Sequence, residues 1–222
     1  WQPTEDRIEQ ANITQFIEHI NRQGFELKNY SDLHQWSLEH NEHFWKEVWQ
    51  FCDLIGTQGN TLKTQGESRW QSPMSNRDTV WFPQAQVNYA ENLLSLAEKQ
   101  ADELAIWFEN ERGDKQTYTW KELCNEVSSV QQWLVECGIK QGDVVAGYLP
   151  YMPQTVIAML ATTSLGATWT STSPDFGVES VIERFGQVKP KVLFTCDGYT
   201  FSGKTFDMSE KNHHIADHLD GL

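Results

Sequence analysis

Hydrophobic residues recur at helical spacing in the first part of the chain. A first helix is expected to start at Asn12, which can act as its N-cap. Its apolar face has the i, i+3, i+4, i+7 spacing and comprises Ile13, Phe16, Ile17 and Ile20. A second helical pattern contains Phe44, Trp45, Val48, Trp49 and Cys52. Residues 56–78 are polar and rich in turn formers, which predicts an exposed loop, and a third helix is expected near Asn88. The pattern therefore predicts short helices and loops over residues 1 to about 95.

The pattern changes near residue 103, where short apolar runs begin. Residues 104–109 and 116–119 flank a turn-forming segment and predict a β-hairpin. Thr119 and Glu122 have the spacing of a capping box at the start of the next helix. That helix is expected to end before Gly138 and to bury Leu123, Val127, Val130 and Leu134.

Three further apolar runs alternate with two helical patterns. The runs are residues 144–149, 167–171 and 191–195, and the alternation is typical of parallel strands joined by crossover helices. The residues expected in the core are Val145, Ile157, Leu160 and Val181. The predicted fold class is α/β: short helices in the first part of the chain, followed by the strands and helices of a layered, partly parallel sheet.

The net charge indicates which classes of partner to expect, and the cysteines indicate the redox compartment. The net charge of −14 repels nucleic acid and anionic membranes, so neither is expected as a partner. It also repels ATP and CoA, so cationic groups for such ligands are expected elsewhere. The four cysteines form no CxxC pair, which predicts reduced core residues in a cytoplasmic protein. No apolar run approaches the roughly 20 residues that span a bilayer.

One segment has the spacing of a phosphate-binding P-loop. Gly198, Gly203, Lys204 and Thr205 satisfy G-x-x-x-x-G-K-[ST] after a predicted strand. However, the bulky Tyr199 inside the loop would hinder a tight wrap of backbone N–H groups around phosphate. The residues after Lys204 also look extended, whereas a P-loop opens a helix. The P-loop is therefore the less favoured interpretation.

Histidines near the C-terminus raise the question of a metal site. His214 and His218, at i and i+4, would share one helix face, with His213 and Asp220 nearby. Such residues in an acidic, polar tail are more typical of a solvated surface. No metal ligand is therefore predicted.

Five segments of the sequence resemble those of a known protein family. They are Trp81-Phe82-Pro83, residues 88–94, Gly142-Asp143, LPYMPQTVIAMLATTSLGATW over residues 149–169, and SPDFGVESVIERF over residues 173–185. With them the chain resembles the acyl-adenylate-forming ligases, and specifically the acetoacetate–CoA ligases. The resemblance implies that residues 1–95 are the N-terminal extension of an acyl-CoA synthetase. It implies that residues 96–222 are the first part of a truncated AMP-binding large domain.

The resemblance also implies the activity of the parent protein. Acetoacetate–CoA ligases use ATP, Mg and CoA to convert acetoacetate into acetoacetyl-CoA, AMP and pyrophosphate. In that family the Ser/Thr/Gly-rich loop and the catalytic lysine lie downstream of the region matched here. No catalytic residue is therefore assigned, and the chain, which starts at Trp1 and ends at Leu222, is expected to be an inactive N-terminal fragment.

The same resemblance points to residues that face CoA. Lys204 matches a basic residue that reaches the phosphates of CoA, and Ser173, Pro174 and Asp175 match a loop that approaches its adenine. The relatives are glycine-rich at that loop, and Asp175 beside a polyphosphate would be unfavourable. Capping of the next helix by Ser173 or Asp175 is the alternative.

Two other interpretations of the whole chain stay open. A stand-alone acidic α/β binding or regulatory module is the first, and a P-loop NTPase built on residues 198–205 is the second. Under the fragment interpretation, the strand at residues 191–195 should present an unpaired edge. Such an edge invites association with another chain.

Overall fold

A computed structural model describes residues 1–65 and 79–222 of the chain. The chain folds into two compact units, Trp1–Val87 and Asn88–Leu222. The first unit contains helices α1 (Glu5–Glu9), α2 (Asn12–Asn21), α3 (Tyr30–Glu39) and α4 (Asn41–Phe51), followed by strands β1 (Gly56–Thr57), β2 (Lys63–Gln65), β3 (Thr79–Trp81) and β4 (Gln86–Val87).

The first unit confirms the two helical patterns but not the predicted cap. Ala11, with extended backbone, is the N-cap of α2, and no side chain caps this helix. α1 ends at Glu9, and α2 begins only three residues later, so Asn12 is already its first helical residue. An N-cap must have non-helical backbone, so the prediction for Asn12 was wrong. The helices bury Phe16, Ile20, Leu33 and Trp36, with Ile17, Phe44 and Val48 partly buried against them.

A buried carboxylate joins two of these helices. Glu47 on α4 is 4% exposed, and its Oε2 accepts hydrogen bonds from His19 Nε2 (2.8 Å) and Gln23 Nε2 (2.6 Å). His43 Nε2 lies 3.3 Å from its other oxygen. Burial alone would raise the pKa of Glu47, but the hydrogen bonds from Gln23 and His19 and the nearby histidine charge lower it.

Part of the predicted loop forms short strands. β1 pairs with β4 and β2 pairs with β3, both antiparallel, so residues 56–65 are not purely loop as expected. A polar segment forms these strands because they need only backbone partners, supplied here by β3 and β4. The rest of the predicted loop, residues 66–78, lies outside the described residues.

The second unit starts with two short helices and a hairpin. α5 (Tyr89–Leu94) is capped by Asn88, and α6 (Leu96–Gln100) follows. β5 (Leu104–Glu109) and β6 (Lys115–Thr119) pair antiparallel, as predicted. The capping box of Thr119 and Glu122 is confirmed at the start of α7 (Trp120–Glu136). α7 buries Leu123, Val127 and Leu134, and the chain leaves it through Gly138 at φ 82°.

The centre of this unit is a parallel sheet of three strands in the order β8-β7-β9. The strands are β7 (Val144–Tyr148), β8 (Thr168–Thr172) and β9 (Val192–Thr195), and the crossover helices are α8 (Pro153–Ser164) and α9 (Val178–Gly186). The three parallel strands are thus confirmed. Central β7 is buried on both faces, as parallel sheets require: Val145 packs in one apolar cluster and Tyr148 in the other.

The expected core positions are confirmed. Val145, Leu160 and Val181 are fully buried and Ile157 nearly so. The cysteines differ from expectation: all four are unpaired, but Cys52 and Cys137 are exposed and Cys124 and Cys196 half-buried. Cys52 and Cys137 each follow the last residue of a helix, so their side chains leave the apolar face. The chain ends with strands β10 (Gly198–Phe201) and β11 (Lys204–Asp207) and helix α10 (Ser209–Asp217).

Candidate functional site

A cleft of about 670 Å³ lies beyond the carboxyl ends of β7 and β8. Its floor is the loop after β7, including Pro150 and Tyr151, and one wall is the loop after β8 with Ser173, Pro174 and Asp175. β5, the start of α8 and β10 supply the remaining walls. In open α/β sheets, ligands bind outside the carboxyl ends of the strands, so this cleft is the candidate site.

Exposed aromatic rings give the cleft its chemical character. Trp107 of β5, Tyr151 and Phe201 of β10 line it and are 58%, 94% and 62% exposed. Aromatic faces of this kind stack on planar ligand groups such as nucleobases. A second cavity of about 650 Å³ shares Tyr151 and Tyr199 with the cleft and is lined by Arg112 and several carboxylates. The site therefore offers apolar stacking surfaces with a mixed polar rim.

Tyr148 is hydrogen-bonded to the loop after β8. Its ring is fully buried at the end of β7, and its hydroxyl lies 2.9 Å from the carbonyl oxygen of Pro174 and 2.7 Å from that of Phe176. Burial, with a smaller contribution from the charge of Asp175, raises the pKa of Tyr148 to about 12. The hydroxyl is therefore a permanent donor near neutral pH and fixes the loop that forms one wall.

Ser173 and Asp175 contact each other rather than capping the next helix. The Ser173 hydroxyl donates to the Asp175 carboxylate. The N-cap of α9 is Gly177, without a side-chain hydrogen bond, so the alternative that Ser173 or Asp175 caps this helix was wrong. The N-cap position comes after both residues in the chain, and neither side chain reaches the free N–H groups of the first turn. Both residues instead belong to the cleft wall.

The segment with P-loop spacing is a β-hairpin. β10 and β11 pair in register, with Phe201 opposite Lys204 and a turn at Ser202 and Gly203. These two turn residues have φ of 51° and 72°, the left-handed conformation of a tight hairpin turn. β11 follows directly, where a P-loop would open a helix, and the turn's N–H groups are already bonded to Glu111. This geometry does not form a phosphate-wrapping loop.

Lys204 lies at the mouth of the cleft without lining it. It stands directly opposite Phe201, which does line the cleft. Side chains directly opposite each other in an antiparallel pair share one face, so Lys204 and Phe201 lie on the same side of the hairpin. The structure thus brings residues 173–175 together in one wall and places Lys204 on the element that forms another.

The histidines near the C-terminus form a surface pair. His214 and His218 stack with ring centroids 4.4 Å apart, as their i, i+4 spacing on α10 predicts. Nε2 of His214 lies 3.9 Å from a carboxylate oxygen of Glu179, and both side chains are exposed. Within residues 1–65 and 79–222, no three histidine, cysteine or acidic residues are grouped so that they could hold a metal ion.

Fold and cleft together define an α/β protein with a candidate ligand site at the carboxyl edge of a parallel sheet. Residues 95–220 match the family model described as AMP-binding enzyme, and the chain belongs to that family. No helix of the described residues is long and apolar enough to cross a membrane.

Several CoA synthetases are similar to this chain. The chain is 39% identical over 222 residues to the acetoacetyl-coenzyme A synthetase of Rhizobium meliloti (strain 1021), covering 99% of this chain and 32% of that protein. It is 34% identical to the malonamoyl-CoA synthetase vrtB of Penicillium aethiopicum, covering 93% and 28%. The solved acetoacetyl-CoA synthetase from Streptomyces lividans matches with TM-score 0.89 and 38% identity, over 100% of this chain and 34% of that one. The chain therefore spans about a third of the length of these relatives.

Sequence reasoning missed three features of the site. The aromatic lining could not be foreseen, because Trp107 and Phe201 come from hairpins about 90 residues apart in sequence. Tyr148 had a weak signal, a polar ring at the end of an otherwise small and apolar strand. Glu111, one of two acidic residues in its turn, had no such signal.

Proposed function

We propose that the protein is an ATP-dependent acetoacetate–CoA ligase, to which this chain contributes the N-terminal extension and the first layers of the AMP-binding domain. In the proposed reaction, the acetoacetate carboxylate attacks the α-phosphate of ATP and pyrophosphate leaves. The thiol of CoA then displaces AMP from the acyl-adenylate. The observation that carries the proposal is the similarity to synthetases of this name along the whole chain, together with membership of the AMP-binding family.

The cleft supports a role in binding CoA, with no catalytic residue in this chain. Its aromatic walls fit an adenine ring, because every nucleobase offers a face for stacking. Lys204, on the hairpin at the mouth, has no ion pair within the described residues and is exposed, so it can meet a phosphate. The loop of Ser173, Pro174 and Asp175 would lie beside the base.

Asp175 is the residue that fits a polyphosphate least well. A carboxylate repels phosphate, with a Coulomb energy of about 1 kcal/mol per unit charge at 4 Å even in bulk water. The Ser173 hydroxyl bonded to this carboxylate occupies one of its acceptor positions. In our proposal Asp175 therefore faces the base, which carries N–H donors, and the phosphates lie toward Lys204.

The test of the function is acid-dependent ATP–pyrophosphate exchange by the protein expressed from its complete reading frame. We expect exchange with acetoacetate to exceed exchange with acetate and with malonamate. Malonamate tests the acyl pocket because it replaces the methyl group of acetoacetate by an amide NH₂. A pocket that hydrogen-bonds this NH₂ would reject acetoacetate strongly, whereas an apolar pocket for the methyl group would disfavour malonamate only modestly. Faster exchange with malonamate or acetate would overturn the choice of acyl group, and no exchange with any of the three acids would overturn the ligase itself.

The 222-residue chain alone is expected to be inactive. In the acetoacetate–CoA ligases, charge at the α-phosphate is stabilised by a Ser/Thr/Gly-rich loop that ends in lysine and by a lysine of the C-terminal domain. The sequence of this chain contains no such loop, and the C-terminal domain lies downstream of the region that it matches. Exchange above a no-protein control, in a preparation free of host ligases, would contradict this. If the chain is instead a stand-alone binding module, neither the 222-residue chain nor the protein from the complete reading frame should catalyse acid-dependent ATP–pyrophosphate exchange.

The cellular location and Mg requirement belong to the same proposal. Four unpaired cysteines support the reducing cytoplasm. Mg would neutralise the phosphates of ATP during attack, as in other phosphoryl and nucleotidyl transfers. ATP, CoA and acetoacetate are thus the proposed partners, with no nucleic acid or membrane surface among them.

A further inference from the structure

The tips of two hairpins are joined by a single carboxylate. Glu111, in the turn between β5 and β6, accepts hydrogen bonds from the backbone N–H of Ser202 at Oε2 and of Gly203 at Oε1, each 2.8 Å long. Both oxygens of one side chain are therefore used on two successive amides of the other hairpin. Contacts between a charged acceptor and neutral donors are among the stronger hydrogen bonds.

The two turns are shaped for this contact. Ser202 and Gly203 both have positive φ, so their N–H groups can converge on one anion, as in other backbone concavities that bind anions. On the other side, Asn110 Oδ1 accepts from the N–H groups of Arg112 and Asp114, both at 3.0 Å. That folds the turn tightly and presents Glu111 at its tip.

The hairpin of β10 and β11 has little else to hold its tip. Its two strands pair only with each other among the described strands, and an isolated two-stranded ribbon is marginally stable. Its base is anchored by Met208, fully buried in the cluster that also contains Tyr148, with Tyr199 partly buried there. The tip, with Phe201 and Lys204 beside the turn, is exposed. Glu111 is thus the contact that fixes the tip.

We propose that Glu111 is a positioning residue for CoA: it holds the β10–β11 hairpin so that Lys204 and Phe201 stand at the mouth of the cleft. The inference rests on the proposed function, because Lys204 and Phe201 matter only if CoA enters there. Glu111 also lines the cleft, but both of its carboxylate oxygens accept hydrogen bonds from the hairpin, so in this proposal it acts through the hairpin and not as a ligand of CoA. Adenylate formation, which needs no CoA, does not depend on it.

The test uses the protein from its complete reading frame with Glu111→Ala, Glu111→Gln and the control Glu136→Ala. Glu136 is exposed at the end of α7, on an element that does not line the cleft. We expect Glu111→Ala to raise the KM for CoA roughly threefold to tenfold, no more than the loss of the exposed Lys204 contact that the hairpin positions. Acid-dependent ATP–pyrophosphate exchange and the KM for ATP should be unchanged. Glu111→Gln keeps one acceptor oxygen, so its KM for CoA should lie between those of wild type and Glu111→Ala. The KM for CoA of Glu136→Ala should match that of wild type.

A direct structural readout accompanies the kinetics. Amide exchange at Ser202 and Gly203 should accelerate in Glu111→Ala while exchange in α7 and β7 stays as in wild type. If the wild-type enzyme is active and Glu111→Ala has the same KM for CoA, the positioning role of Glu111 is wrong, while the proposed ligase function stands. An equal loss of pyrophosphate exchange would also overturn the positioning role, since it would show general damage. If wild-type protein forms no CoA thioester, the proposed function fails, and the inference fails with it.

Discussion

Replacing Tyr148 by Phe isolates the hydrogen bond that holds the cleft wall. The ring remains and fills the same buried space, so no cavity opens; only the hydroxyl is lost. That hydroxyl has one proton for the carbonyl oxygens of Pro174 (2.9 Å) and Phe176 (2.7 Å). Pro174 is fully buried, so water cannot easily replace the donor. A net hydrogen bond is worth about 0.5–1.5 kcal/mol and an unsatisfied buried acceptor costs about 1–3 kcal/mol, which gives an expected loss of about 1–2 kcal/mol in the free energy of unfolding.

The same substitution predicts a change in pH dependence. The pKa of Tyr148 is raised to about 12, against an ordinary value of 10, because burial disfavours the phenolate. Its stabilising contribution is therefore complete below pH 10 and is lost as the pH rises from 10 through about 12. Wild-type protein should lose stability over this window more steeply than Tyr148→Phe, so the difference between them should shrink.

The assay is urea unfolding combined with amide exchange of residues 173–176. Tyr89→Phe is the control, since Tyr89 is 60% exposed and loss of its hydroxyl should stay within about 0.5 kcal/mol. Exchange in the 173–176 loop should accelerate in Tyr148→Phe only. A loss of stability below about 0.5 kcal/mol with unchanged loop exchange would show that Tyr148 does not hold this wall.

Three further predictions concern the rest of the molecule. Leu160→Ala, at a fully buried position of α8, should cost about 2–5 kcal/mol, whereas Leu104→Ala at an exposed position should cost less than about 1 kcal/mol; equal losses by urea unfolding would contradict the core assignment. Glu47 has a lowered pKa, so its contribution to the first unit should be present above pH 4.5 and lost as the pH falls through the lowered value. Acid unfolding of Glu47→Gln should lack that component, and identical acid profiles would refute it. The outer edge of β9 has no partner among the described strands, so the 222-residue chain should associate in light scattering or exchange its amides rapidly after residue 196. A strict monomer with protection there equal to that of residues 16–20 would refute this.

Local chemistry explains which elements could be predicted from sequence. The apolar run of β7 predicted a parallel strand because a strand buried on both faces must be apolar throughout. β8 and β9 are only partly buried, and they were predictable because their runs alternate with helical patterns. The capping box at Thr119 and Glu122 was predictable because all its hydrogen bonds join residues three apart. Asn12 had the right residue type for a cap, but the end of the preceding helix decided where α2 begins. The strands β1 and β2 pair with residues 14 to 31 positions away, which no local pattern reports.

The sequence predicted one wall of the candidate site but not the residues that hold it in place. The resemblance pointed to Ser173, Pro174 and Asp175, and the structure places all three in one cleft wall. Its supports were hidden, because Tyr148 acts on residues 26 and 28 positions away, and Glu111 on residues more than 90 positions away. Such contacts exist only once the chain has folded. Positive φ at Ser202 likewise could not be foreseen from a residue type that seldom adopts it.

The most direct test of the account compares two half-reactions in Lys204→Ala, with Lys121→Ala as the control. Lys121 is exposed in the first turn of α7 and does not line the cleft. In the protein from its complete reading frame, ATP–pyrophosphate exchange with acetoacetate measures adenylation, and thioester formation measures the use of CoA. We predict unchanged exchange in both variants and a KM for CoA raised about threefold to tenfold in Lys204→Ala only, as expected for one exposed charge-assisted contact. A wild-type KM for CoA in Lys204→Ala, or an equal fall in exchange, would contradict the claim that CoA meets this hairpin.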